Sequence, residues 1–85
     1  MKKGTYVIMT GRYTTGCGKE YDKNHIGVLM EDTSKRIKVD VRFPIHSCYD
    51  SSWIPVDKLT EAPDQDKAEK LFNEGVKQCK KVFYK

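Results

Sequence analysis

Charged and apolar residues alternate without interruption through residues 36–43, and this pattern constrains the fold more than any other feature of the chain. Ile37, Val39, Val41 and Phe43 fall on one face of a strand, and the charged side chains fall on the other. One dry face and one wet face are typical of a strand in an antiparallel sheet. The pattern therefore predicts a small antiparallel sheet, and it fixes the register of the neighbouring strands.

Neighbouring segments predict the rest of this sheet. Runs of β-branched and aromatic residues predict strands over residues 5–10 and 26–31, and a last strand or strand pair over 53–60. Turn-forming residues predict a long loop at 12–25. Pro44 is expected to end the third strand, because proline cannot continue a central ladder, and to open a second loop at 44–52.

An amphipathic helix is predicted over residues 64–84. Its apolar residues recur at spacings of three and four, and they are Ala68, Leu71, Phe72, Val76, Cys79, Val82 and Phe83. Asp64 is the expected N-cap. Gly75 lies on the stripe and predicts a close approach to the sheet, because a mid-helix glycine costs about 1 kcal/mol relative to alanine. We expect the helix (63–85) to pack on the sheet region (1–62) as one domain, the alternative being a homodimer formed through the helix.

Composition narrows the classes of function. The chain has 85 residues, of which 38% are hydrophobic and 33% charged, enough for one domain with a modest core. A net charge of +4 permits contact with nucleic acid without requiring it. Three widely spaced cysteines are a poor disulfide framework, and no run approaches the ~20 apolar residues of a membrane helix. We expect a cytoplasmic protein without membrane contact.

The succession of short strands, the long first loop and the closing Trp-Ile-Pro-Val-Asp-Lys-Leu segment resemble an SH3-like barrel over residues 4–61. In such barrels one turn of 3₁₀ helix joins the last strands, and residues 56–58 would supply it. The glycine and apolar residues around Gly27 are similar to those of a KOW or Tudor-like motif. The resemblance implies a mainly β fold, an SH3-like antiparallel barrel followed by one α-helix. Families with this fold bind proline-rich peptides, methylated side chains, nucleic acids or protein surfaces, so the fold alone does not select a ligand.

The two predicted loops should converge at one end of the sheet, and this end is the predicted binding site. Aromatic side chains with polar tips are the usual anchors of protein interfaces. We expect a protein partner to dock on Arg12, Tyr13, Tyr21, Asp22, Tyr49, Asp50 and Trp53. Two alternatives for these rings are closure of the open end of the barrel and a cage for a cation. Such a domain would act as an adaptor or inhibitor, as small phage-encoded proteins that modulate host enzymes do.

Nucleic-acid binding is the alternative function. The cations on the wet face of the third strand and at the end of the helix would hold phosphates, and they are Arg36, Lys38, Arg42, Lys77, Lys80 and Lys81.

Zinc binding and catalysis are weaker alternatives. Cys17, His25, His46 and Cys48 offer two sulfur and two nitrogen ligands for zinc across the loops, but their spacing lacks the Cys-x₂-Cys pattern of zinc sites. Cys48 with His25 is the one pair of nucleophile and base, without a third member. We therefore expect no metal, no cofactor and no enzymatic activity.

Overall fold

Five antiparallel strands form the main sheet of the computed structural model, which describes residues 1–45 and 48–85, with the side chains of 1–44 and 51–85. The strands are β1 (Tyr6–Met9), β2 (Tyr13–Thr14), β3 (Glu20–Tyr21), β4 (Ile26–Leu29), β5 (Lys38–Ile45), β6 (Cys48–Pro55) and β7 (Leu59–Glu61). A 3₁₀ turn, Val56–Lys58, joins β6 to β7, and one α-helix, α1 (Gln65–Gln78), follows. The predicted mainly β fold with one C-terminal helix is confirmed, and the 3₁₀ turn falls where it was expected.

The main sheet has the strand order β6-β5-β4-β1-β7, and β2 and β3 form a separate hairpin. Every pairing between these strands is antiparallel. The sheet does not close into a barrel within the described residues, because β6 and β7 are its two edges. The short 3₁₀ turn carries the chain from one edge to the other without a ladder between them.

Alternation along β5 sorts the side chains into an inner and an outer face, as the sequence predicts. Val39, Val41 and Phe43 are buried in the inner core. Ile37, which was expected on the same face, is 86% exposed. The reason is that β5 begins only at Lys38, so the sequence alternation extends beyond the strand.

The predicted loop at 44–52 is wrong. Most of it is regular structure, because β5 continues through Pro44 and β6 pairs with it from Ile45↔Cys48 to Lys38↔Pro55. The carbonyl of Asp40 accepts from the N–H of Met30, so the backbone groups of even-numbered β5 residues face β4. Proline has no N–H, and at position 44 the missing donor would point towards β4. No ladder hydrogen bond is lost there, because the pairing of β4 with β5 ends at Val28↔Arg42.

A C-terminal segment, residues 82–84, occupies the side of β4 that Pro44 leaves unpaired. The N–H of Ile26 donates to the carbonyl of Val82 at 3.1 Å, and the N–H of Tyr84 donates to the carbonyl of Asn24 at 2.9 Å. These bonds flank an antiparallel bridge between His25 and Phe83. The helix predicted over 64–84 is therefore too long: Val82 and Phe83 belong to an extended segment, not to the helical stripe.

The helix packs on the outer face of β1, β4 and β5. Asp64 caps its start by accepting from the N–H of Lys67, as predicted. Ala68, Phe72 and Gly75 are buried, and a Cβ on Gly75 would lie 2.8 Å from Cγ1 of Val82 and 3.0 Å from Cγ of Pro44. The close approach predicted at Gly75 is confirmed. In the described part of the chain, no helix is long and apolar enough to cross a membrane.

Candidate functional site

An open groove of about 210 Å³, here called the tryptophan groove, lies between the β2–β3 hairpin and the β5–β6 edge of the sheet. Trp53 borders it and is 56% exposed. The residues that line the groove are Tyr13, Thr15, Gly16, Cys17, Lys19, Lys38, Ser51, Ser52 and Trp53. It therefore combines two aromatic rings, two ammonium groups and several hydroxyl groups.

The hairpin that forms one wall is shaped by its own turn. The N–H of Thr15 donates to the carbonyl of Lys19 at 2.8 Å, and the N–H of Gly18 donates to the carbonyl of Thr15 at 3.0 Å. Gly18 has a φ of 88°, a conformation that glycine adopts without steric cost. At the tip, the ammonium group of Lys19 reaches the carbonyl of Ser51 at 3.5 Å, which brings the hairpin against β6.

Tyr21 anchors this hairpin in the core. Its ring is fully buried and stacks on Phe43 with centroids 4.1 Å apart, and its hydroxyl lies 2.6 Å from that of buried Ser52. The expectation that Tyr21 contacts a partner is corrected, because its side chain has no exposed surface. Its position instead fixes the wall on which Tyr13 stands, since Tyr13 pairs with Tyr21 across the hairpin.

Strand pairing places Trp53 on the outer face of the sheet, directly opposite Asp40. Lys38, two residues before Asp40, lies on the same outer face. At the ends of the same two strands a second shallow groove of about 340 Å³ is lined by Arg36, Ile37, Pro55, Val56 and Asp57. Ile37 is 86% exposed there.

The structure separates the predicted protein-binding residues. Tyr13 and Trp53 share the tryptophan groove. Arg12 contacts Glu20 at 2.7 Å and Asp22 at 3.9 Å, in an exposed cluster of ion pairs. The predicted end between two loops is not formed, since residues 48–55 are strand. The side chains of Tyr49 and Asp50 lie outside the described residues.

Sequence reasoning missed part of the hairpin wall of the groove, Thr15 and Gly16, and the β6 floor, Ser51 and Ser52. The available signal was the pair of glycines at 16 and 18, which favour a tight turn. Strands of two residues are too short to show any alternation, so the hairpin itself left no pattern.

The predicted nucleic-acid residues do not form one track. Arg36 pairs with Glu31 at 3.3 Å, and Asp40 lies between Lys38 and Arg42 on the outer face of β5. Lys77 is exposed on the helix. Lys80 and Lys81 border a different groove, between the helix and the C-terminal segment.

His25 is a buried neutral imidazole. Its Nδ1 accepts from the N–H of Asp22 at 2.9 Å. Burial lowers the pKa of His25 to about 4, with a further lowering from the nearby Lys81 ammonium and an opposing effect of Asp22. Its Nε2 atom has no hydrogen-bond partner among the described residues.

Of the four residues proposed as zinc ligands, the two whose side chains the structure describes lie in different places. Cys17 is exposed at the tip of the hairpin, whereas His25 lines a narrow crevice with Phe43 and Val82. The part of the chain that the structure describes holds no cluster of three or more metal-ligating side chains. His46 and the side chain of Cys48 lie outside that part, and with them the proposed pair of Cys48 and His25.

Comparisons of the chain with protein-family models, with curated proteins and with solved structures find no match. The lining residues of the tryptophan groove provide two rings for apolar contact and two ammonium groups that can pair with carboxylates.

Proposed function

We propose that this protein is a non-enzymatic interaction module, an adaptor or inhibitor in the cytoplasm, that binds a protein partner in the tryptophan groove. One observation carries the proposal: the ring of Trp53 is 56% exposed beside an open groove that also holds Tyr13. Tryptophan is the residue most often found among the few that dominate interface energetics.

The charges of the groove favour an acidic segment of the partner. Lys19 and Lys38 line the groove together with Trp53, whereas Asp40, directly opposite Trp53, accepts a hydrogen bond from the hydroxyl of Ser51. Ammonium groups at the rim of an interface steer an acidic partner and select its orientation more than they add affinity. An apolar side chain of the partner would fill the space beside Trp53, with carboxylates on either side.

The groove is held in place before any partner arrives. Trp53 stands on a strand paired along its whole length with β5, and the opposite wall is fixed through buried Tyr21. A surface of this kind loses little conformational entropy on binding, which raises affinity for a given area.

The test compares two exposed aromatic residues in the same chain. Tagged wild type, Trp53→Ala and Phe83→Ala are used to isolate partners from the native cell, with and without nuclease, and bound proteins are quantified by mass spectrometry. We expect a stoichiometric protein that survives nuclease, is retained by Phe83→Ala and is lost with Trp53→Ala. For the purified pair, Trp53→Ala should weaken binding by at least about 30-fold, equivalent to roughly 2 kcal/mol.

Two outcomes would contradict the proposal. One is equal capture by wild type and Trp53→Ala when both proteins melt at the same temperature. The other is the loss of all partners after nuclease treatment, which would transfer the function to nucleic acid.

A further inference from the structure

Four lysines line a third groove, which lies between α1 and the C-terminal segment and is here called the lysine groove. Its volume is about 300 Å³, and its lining residues are Lys67, Leu71, Glu74, Lys80, Lys81, Val82, Phe83 and Lys85. None of these residues lines the tryptophan groove. The lysine groove is therefore a separate surface with its own chemistry.

Phe83 presents a fixed aromatic ring to this groove. Its backbone forms the bridge to His25, and its ring lies 4.4 Å from the His25 ring, centroid to centroid. Although His25 covers part of the Phe83 ring, the side chain of Phe83 remains 41% exposed. An aromatic ring that is anchored on one side and open on the other is a stacking platform.

The positive charge of the groove is not neutralised within the described chain. Lys80, Lys81 and Lys85 form no ion pair there, and the ammonium of Lys81 only approaches the carbonyl of Glu20 at 3.4 Å. Lys67 is already engaged within the chain, because it donates to the backbone oxygen of Lys85 and lies 4.7 Å from the centre of the Tyr84 ring. The cations without an ion pair in the described chain are therefore Lys80, Lys81 and Lys85, and Glu74 is the one acidic side chain in the lining.

We propose that the lysine groove binds a nucleotide unit, with the base stacked on Phe83 and the phosphate held by the lysine ammonium groups. A nucleotide combines a flat aromatic group with an anion a few ångströms away, and the groove offers the complementary ring and cations together. An acidic peptide would use the lysines but not the ring. The unit can come from a free nucleotide or from a single strand of nucleic acid, and the experiment separates these sources.

The first arm tests the phosphate contacts. Binding of a fluorescent oligothymidylate is followed by anisotropy between about 50 and 200 mM salt. We expect the double variant Lys80→Glu, Lys81→Glu to bind at least tenfold more weakly and to flatten the slope of log K against log salt by about 0.7 for each lost phosphate contact. The matched control, Lys2→Glu with Lys3→Glu, changes the net charge equally at exposed positions outside the groove and should retain the wild-type slope.

The second arm tests stacking. Phe83→Leu keeps an apolar contact with His25 but removes the ring, and it should weaken oligothymidylate binding by about tenfold, within the 1–3 kcal/mol that one stacked base contributes. The same variant should bind an abasic strand as wild type does. Competition by thymidine monophosphate at similar concentrations identifies a free nucleotide as the source, and its failure to compete identifies a strand.

Three results would overturn the proposal: no binding at about 50 mM salt, equal affinity for the abasic strand or polyglutamate, or unchanged binding by the Lys80 and Lys81 variant. The milder pair Lys80→Gln, Lys81→Gln replaces the glutamates if melting shows that the first variant is unfolded. Trp53→Ala should leave oligothymidylate binding unchanged, so the two proposed sites can fail independently.

Discussion

The hydroxyl groups of Tyr21 and Ser52 lie 2.6 Å apart in the core, and they join the β2–β3 hairpin to the edge strand β6. The two residues are 31 positions apart in the chain. This hydrogen bond ties the two sides of the tryptophan groove together, because Tyr21 belongs to the hairpin and Ser52 to β6. The same contact satisfies the hydroxyl of buried Ser52, which would otherwise be an unpaired polar group inside a small core.

Removal of the Tyr21 hydroxyl should loosen this wall. We expect Tyr21→Phe to lower the free energy of unfolding by about 1–3 kcal/mol, because the Ser52 hydroxyl stays buried without its partner. Ser52→Ala should cost a similar amount, and the double variant should cost less than the two single variants together. Urea denaturation of all four proteins measures the coupling, and simple additivity would show that the contact is energetically irrelevant.

Gly75 should resist replacement even though it lies inside a helix. Alanine would gain about 1 kcal/mol of helix propensity, but its Cβ would meet Val82 at 2.8 Å and Pro44 at 3.0 Å. We expect Gly75→Ala to be destabilising by about 1–3 kcal/mol, as in other overpacked cores. Exposed Asn73→Ala in the same helix is the control and should raise the melting temperature slightly. A stabilised Gly75→Ala protein would show that the C-terminal segment moves away at little cost.

The fold was predictable where a local pattern carries it. The period of β5 gives its buried face without any tertiary information, because side chains alternate along a strand. The first part of strand β6, up to Ser52, was predicted as loop because the stretch that includes Ser51 and Ser52 has no apolar alternation. Ser52 is buried by a contact with Tyr21, and no local rule connects two residues so far apart.

The candidate site was predictable only in its aromatic members. Tyr13 and Trp53 stand out by residue type, but their neighbours Thr15 and Lys19 depend on where the hairpin folds. The end of the helix was missed for a related reason. Val82 happens to fall at a helical spacing from the earlier apolar residues, although the helix has already ended at Cys79, its left-handed C-cap. A cysteine gives no sequence signal for the left-handed conformation that glycine usually supplies.

That helix end provides a direct test. Cys79 has a φ of 55°, and the N–H of Lys80 closes the turn on the carbonyl of Gly75 at 3.0 Å. A non-glycine residue in this conformation costs about 1 kcal/mol. We expect Cys79→Gly to raise the free energy of unfolding by about 0.5–1 kcal/mol and β-branched Cys79→Val to lower it. Denaturation under reducing conditions measures both variants. A Cys79→Val protein more stable than wild type would show that residue 79 does not adopt the left-handed conformation.

Buried His25 should make stability depend on pH in a defined window. Its pKa is about 4 in the folded protein, against 6.5 as the ordinary value. Between these values the unfolded chain binds a proton that the folded chain does not, so stability is fully present above pH 6.5 and falls as the pH is lowered towards 4. The groups that face the imidazole are the Lys81 ammonium, which opposes protonation, and Asp22, which favours it.

We expect the free energy of unfolding to fall by about 2 kcal/mol between about pH 7 and pH 5 through this one group. His25→Asn keeps an acceptor near the N–H of Asp22 but does not titrate, so it should remove most of the slope in this range. Urea denaturation of both proteins at several pH values is the measurement, and the range above pH 5 keeps ordinary carboxylates ionised. If His25→Asn retained the full wild-type dependence of unfolding free energy on pH, protonation of His25 would not be what destabilises the fold. The contact between its ring and Phe83 would then persist when the imidazole is charged.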